Sequence, residues 1–230
     1  MKKRVALSTG AVLCAATAVI FYFPASRYGA FGLFRGERFE DWRPTSYWSQ
    51  VLKDDNEKNR QEASRKLVDI SPEAEDAIPA LTDALKDSDS EVRVNAGLAL
   101  MKMARKNQLP IAALCDALKD ELPHVRMYAA MALRLQAEHF GALSTADSAD
   151  VAALIAAIED RTNTRRPLLF YVSVRHQAAR TLGLLGPEAR AAIPVLIQGT
   201  KDTQDPEFVE EAGKALKRID QKAAADAGVK

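Results

Sequence analysis

From about residue 46 onward, apolar side chains recur at intervals of three and four. Between Glu75 and Lys86 they fall at Ile78, Leu81 and Leu85, and between Ser90 and Arg105 at Val92, Ala96, Leu100 and Met103. Each set occupies one face of an α-helix, because a helical turn takes 3.6 residues, so the two stretches predict a pair of amphipathic helices. Ser88 or Asp89 is placed to cap the second of them, and Ser71-Pro72 and Gly186-Pro187 stand where helices stop and restart. No sustained alternation of period two appears, and the expected fold class is all-α.

The helix pair recurs along the chain. Leu81 and Leu114, Leu85 and Leu118, Asp87 and Asp120, Val92 and Val125, Arg93 and Arg126, Ala96 and Ala129, and Leu100 and Leu133 are each 33 residues apart. The same step backward gives Trp48, Leu52, Asp54, Arg60, Ala63 and Leu67. A fourth copy holds Leu154, Ile158 and Asp160, then Arg175, Ala178 and Leu182, with nine extra residues between Asp160 and Arg175; a fifth holds Leu196, Asp202, Ala212 and Leu216. Five units therefore span residues 46–220. One helix pair cannot bury its own stripe, so neighbours stack into an α-α superhelix, a solenoid of about five pairs. Trp48 stands in the Leu81 position and is expected to close the N-terminal end, Lys217, Arg218, Gln221 and Lys222 make the other end polar, and residues 221–230 read as a frayed tail.

The first residues carry a different signal. Lys2, Lys3 and Arg4 precede Val5–Phe23, nineteen residues without a charge. At about 1.5 Å per helical residue that run nearly crosses a hydrocarbon core of about 30 Å. The reading is a cytoplasmic basic segment (1–4), one transmembrane signal anchor (5–23), a linker (24–45) with Phe31, Phe34, Phe39 and Trp42, and a domain outside a bacterial inner membrane. The alternative is a signal peptide cut after Ala16-Thr17-Ala18, leaving a secreted domain.

Charge and candidate chemistry narrow the function. Lys plus Arg number 32 against 31 Asp plus Glu, and the four cations of residues 1–30 leave the rest mildly acidic, which speaks against a nucleic-acid partner. Cys115, the one cysteine beyond the apolar run, has no internal partner and reads as a small helical core residue. His124, His139 and His176 are scattered, with no H-E-x-x-H, no G-x-S-x-G and no glycine-rich phosphate loop. No metal, no cofactor and no enzymatic activity are expected.

The turn Asp, the Val-Arg six residues on and the spaced Ala and Leu resemble HEAT repeats. Gly186-Pro-Glu-Ala-Arg-Ala-Ala-Ile-Pro-Val-Leu196 and Ser71-Pro-Glu-Ala before Ala77-Ile-Pro-Ala-Leu81 resemble in particular the bacterial HEAT-like type of phycobilisome lyase subunits. That resemblance implies a binding scaffold whose second helices line a concave surface, and a structural ladder of Asp54 and Arg60, Asp87 and Arg93, Asp120 and Arg126, and Asp160 and Arg175. On the second helices, the position before Ala63, Ala96, Ala129, Ala178 and Ala212 holds Glu62, Asn95, Tyr128, Gln177 and Glu211; the position two after holds Arg65, Leu98, Met131, Arg180 and Lys214.

Leu98, Tyr128 and Met131, rimmed by Arg65, Arg134 and Arg180, make up a candidate protein-binding patch, or else packing inside a tight superhelix. The inserted stretch, with Arg165, Arg166, Leu169 and Phe170, is a second candidate, or else the start of a longer helix at Pro167. The expected function is a membrane-tethered scaffold for a protein partner, with an accessory, lyase-like maturation subunit as the alternative; partner identity and oligomeric state stay open. The register places Leu100 in the stacked core, so Leu100→Asp is expected to lose several kcal/mol of stability in thermal denaturation, and a wild-type melting temperature would break the register.

Overall fold

A computed structural model describes residues 39–41, 43–141, 148–164 and 173–229. The anchor, most of the linker and the insertion residues Arg165, Arg166, Leu169 and Phe170 lie outside them. Five helix pairs follow one another: α1 (Thr45–Val51) with α2 (Glu57–Ile70), α3 (Ile78–Ala84) with α4 (Ser90–Met103), α5 (Ile111–Ala117) with α6 (Pro123–Phe140), α7 (Ser148–Glu159) with α8 (Val174–Leu185), and α9 (Ile193–Gly199) with α10 (Pro206–Ile219). Short 3₁₀ segments cover Glu75–Ala77, Arg161–Thr164 and Gly186–Ala192, the last kinked at Ala189. Among the described residues no helix is long and apolar enough to cross a membrane.

Local chemistry sets the helix starts. The side chains of Asn56, Asp89 and Asp205 accept from the N–H groups of Lys58, Val92 and Phe208 at 2.9, 3.0 and 3.1 Å, satisfying donors that have no partner inside the helix. Pro79, Pro123, Pro194 and Pro206 occupy first turns, where a missing N–H costs nothing. The core follows the repeat: Leu81, Leu114, Leu154 and Leu196 of the first helices, and Leu100, Leu133, Leu182 and Leu216 of the second, are all sealed from solvent.

Consecutive second helices approach one another far more closely along their lengths than consecutive first helices do. Unequal spacing of two stacked layers curves the stack toward the tighter one, so the second helices form its inner layer. Small residues permit that spacing. At Gly183 of α8 an added Cβ would lie 2.8 Å from the Cα of Ala215 in α10, closer than two carbons pack.

Both ends depart from the sequence reading. Before α1, Phe39–Glu40 (β1) and Arg43–Pro44 (β2) pair antiparallel, with Phe39 opposite Pro44 and Glu40 opposite Arg43, where no strand was expected. The Trp48 indole N–H donates to the Glu40 carbonyl at 3.2 Å, Arg43 lies over the Tyr47 and Trp48 rings, and Lys66 pairs with Asp41, so the ribbon rather than Trp48 alone closes this end. Trp48 is a core residue, 1% exposed. The supposed frayed tail is instead helix α11 (Gln221–Asp226), capped by Asp220 on the Ala223 N–H at 3.0 Å. Ala224 is buried, and Val229 would meet a Cβ added at Gly213 at 3.0 Å, so the tail covers the last apolar face.

Gly183→Ala removes a helix-weakening glycine worth about 1 kcal/mol but drives a methyl into backbone. A net loss of about 1–2 kcal/mol is expected, read as a lower urea midpoint; a variant as stable as the parent would show that α8 and α10 separate freely.

Candidate functional site

Along the turns that join the two helices of each unit runs a ladder of charge. Arg60 donates from Nε and Nη2 to the two carboxylate oxygens of Asp87 at 2.8 and 3.0 Å, and from Nη1 to the carbonyls of Asp54 and Asp55 at 3.0 and 3.1 Å. One unit on, Arg93 donates to Asp120 at 2.9 Å, to Glu121 at 2.8 Å, and to the carbonyls of Asp87 and Ser88 at 2.9 and 3.2 Å. Arg126 reaches the carbonyls of Asp120 and Glu121 at 2.7 and 3.0 Å and Thr162 Oγ1 at 3.4 Å.

The pairing expected from sequence, each Arg with the Asp six residues before it, is therefore corrected. In the first three units that Asp supplies its main-chain carbonyl, while for Arg60 and Arg93 the carboxylate comes from the following unit. The reason is local: Asp54, Asp87, Asp120 and Asp160 each accept, through Oδ1, the N–H two residues on, at 2.7 to 2.8 Å. That turn aims the carboxylate back along the stack.

Burial works to raise the Asp87 carboxyl, but Arg60 and the Asp89 N–H outweigh it and hold the group below the usual carboxylate range. At Asp202 burial is again outweighed, by the Gln204 N–H, Arg175 and Arg161.

The fourth unit breaks the pattern. Arg175 Nε donates to the Ile158 carbonyl at 2.8 Å and Nη2 to Asp202 at 3.2 Å, while Nη1, sealed from solvent, has no hydrogen-bond partner among the described residues and lies 3.8 Å from Asp205. The inserted residues separate Arg175 from the turn whose carbonyls serve that atom in the first three units. The guanidinium instead lies 4.0 Å over the Phe208 ring, and His176 stacks on the same ring while contacting both Asp205 oxygens at 3.0 and 3.1 Å. Sequence reasoning missed this second rung, although Gln61, one residue after Arg60, makes the matching bond to Asp89 at 3.1 Å. It also missed Gln136, whose amide donates to the Ala104 and Asn107 carbonyls at 2.6 and 2.8 Å and accepts from the Leu109 N–H at 2.9 Å. A lone polar residue in an apolar stripe was the available signal.

On the second-helix face itself, the patch is less open than the sequence implied. Tyr128 is buried, 8% exposed, because its Cβ sits where a side chain on Gly97 would be: an added Cβ there would lie 3.3 Å away. Leu98 and Met131 are half-buried against the core. The rim cations are engaged rather than free: Arg65 with Glu91 at 3.5 Å, Arg134 with Gln177 and Glu138, and Arg180 with Glu211 at 2.7 Å. Cys115 is buried, and burial raises its thiol pKa.

Comparison with known proteins places this geometry. A profile of HEAT repeats matches residues 45–134, most of the first three units. No curated protein matches the chain. Among solved structures, a designed armadillo repeat protein in complex with the peptide (KR)4 is 19% identical, with 80% of this chain and 87% of that one covered and a TM-score of 0.58. The complex of CpcE and CpcF of phycocyanin lyase from Nostoc sp. PCC7120 is 21% identical over 79% of this chain and 67% of that one, with a TM-score of 0.54. An engineered protein is 23% identical over 83% and 88%, also at 0.54. These likenesses establish the fold, an all-α repeat solenoid of the HEAT and armadillo kind.

A carboxyl held low in the folded state takes up its proton less readily than in the unfolded chain. Its contribution is complete above the unfolded value of about 4 and fades as pH falls through the lower folded value. Replacing Asp87 and Asp202 with Asn should lower stability at pH 7 and flatten its decline below about pH 4, measured by urea unfolding across that range. An unchanged acid limb would mean that other carboxylates govern it.

Proposed function

We propose that this chain is a protein-binding scaffold, without catalytic activity of its own, tethered to a membrane by residues 5–23 and recruiting a partner through the second-helix face. The observation that carries the reading is the combination on that face: the rim arginines Arg65, Arg134 and Arg180 are each paired with a carboxylate, while Leu98 and Met131 stay partly accessible in its middle. An apolar centre inside a paired, polar border suits a moderate protein interface, and a rigid stack loses little entropy on binding. The peptide held by a designed armadillo protein of similar fold supports the same use of the architecture. The uncharged run after Lys2, Lys3 and Arg4 supports the tether, and the basic cluster before it supports a solenoid outside the inner membrane.

A second reading follows from the likeness to the phycocyanin lyase complex: an accessory subunit that holds a client or its cofactor for a catalytic partner. A chromophore that co-purifies with the full chain would favour it.

The test is affinity capture by the full-length chain from detergent-solubilised membranes, set against the Leu98→Glu, Met131→Glu variant after both are shown to melt alike. One protein held by the parent and lost with the variant is the expected outcome. Equal capture by both would remove the second-helix face from the reading.

A further inference from the structure

The segment after α10 is a closed unit of structure joined to that helix by one residue. Asp220, at φ −156° and ψ 106°, donates its N–H to the Leu216 carbonyl at 2.8 Å, ending α10, and its carboxylate accepts the Ala223 N–H at 3.0 Å, starting α11. At the far end of α11 the N–H groups of Gly228 and Val229 reach back to the carbonyls of Ala225 and Ala224, both at 3.0 Å, with Gly228 at φ +75°. That left-handed turn, which glycine adopts at no steric cost, stops the helix and brings Val229 over Gly213.

The seat repeats a contact made inside the stack. Gly97 and Gly213 each follow the reference alanine of their helix; Tyr128 fills the space over the first and Val229 the space over the second. The second contact is shallower. Within residues 221–229 Ala224 alone is buried, Ala223, Ala227 and Val229 are half-buried, and a groove of about 410 Å³ stays open beside Val229, lined by Thr200, Lys201, Val209 and Lys217. Apart from Asp220, the local sequence favours no break. Neither glycine nor proline stands between Gly213 and Gly228, Gln221, Lys222 and Ala223 are good helix formers, and the apolar spacing runs straight through, with Leu216, Ile219, Ala223 and Ala227 at intervals of three and four. A helix continued through residue 220 adds the bonds from the N–H groups of residues 221–223 to the carbonyls of residues 217–219 that the break forgoes, and lifts α11 off Gly213.

We propose that this seat takes residues 221–229 of a second copy of the chain, two copies exchanging the segment about a two-fold axis beside Asp220. A segment that carries its own cap at each end moves as one piece, and what fits over Gly213 in its own chain fits the same seat in another. The contacts with α10 re-form in the exchanged pair, so the two states differ at Asp220, in a few main-chain bonds and in the cost of association. Opening without exchange leaves Val209, Gly213 and Val229 uncovered. Leu98 and Met131 take no part in this contact.

Sedimentation equilibrium of the full-length chain in detergent, in a Cys14→Ser background, measures the exchange. Asp220→Ala removes the cap and favours the continuous helix; dimerisation tighter by about tenfold and a larger helical signal in circular dichroism are expected, while Asp220→Asn, which keeps a capping oxygen, should match the parent. A lock is available in Gly213→Cys with Val229→Cys, because a Cβ added at 213 lies 3.0 Å from Val229 Cγ1, within disulfide reach. Oxidised at high dilution, so that the bond closes within one chain, the locked protein should stay monomeric, and reduction should restore the dimer. A dimer that persists in the oxidised lock arises elsewhere, residues 5–23 included, and overturns the exchange. Parent and Asp220→Ala chains that both stay monomeric, or that dimerise equally, overturn it as well.

Discussion

A guanidinium taken out of water must find partners for all its N–H groups, and in this solenoid the solution is shared between neighbouring units. Arg93 is nine-tenths buried and is satisfied from two directions, by carbonyls of its own turn and by carboxylates of the next. Breaking one such buried pair strands a charge at a cost of about 3–5 kcal/mol. The arrangement therefore constrains more than energy: each turn must present its carbonyls to its own helix and its carboxylate to the helix before it. Only one stacking register meets both conditions.

That register determines what the inner face looks like. With the turns locked, second helices lie close enough that the position before each reference alanine reaches back onto the preceding helix. Asn95 meets Ser64, Tyr128 fills the space over Gly97, Gln177 meets Arg134 and Glu211 meets Arg180. Side chains that a single helix would show to solvent are drawn into crevices between helices. What remains outward in the middle of that face is the half-buried apolar pair Leu98 and Met131.

The fourth unit shows what happens when the constraint is relaxed. Extra residues between Asp160 and Arg175 separate the Arg in sequence from its usual carbonyls, and among the described residues one of its nitrogens finds no hydrogen-bond partner. The unit compensates with a longer first helix, with Phe208 beneath the guanidinium, and with a His176–Asp205 contact where the first unit uses Gln61 and Asp89. The ladder then stops at Val209, where no cation follows, and α11 with Val229 covers the exposed face that a further unit would have covered.

Repetition made the fold legible from sequence. Periods of three and four are local properties of a helix, and a spacing of 33 residues copies them, so the helix pairs, Leu100 and its equivalents in the core, and the residue types of the ladder could all be read without a structure. What the chain order could not reveal was which unit each side chain addresses. Asp87 lies six residues from Arg93 and 27 from Arg60, and sequence distance favours the wrong partner; the turn that accepts the Asp89 N–H decides otherwise. Tyr128 likewise looks exposed on its own helix and is buried only because a neighbouring helix carries glycine at the point of contact. Periodicity is written in one chain segment, whereas burial and pairing arise between segments, and only the stacked structure brings those together.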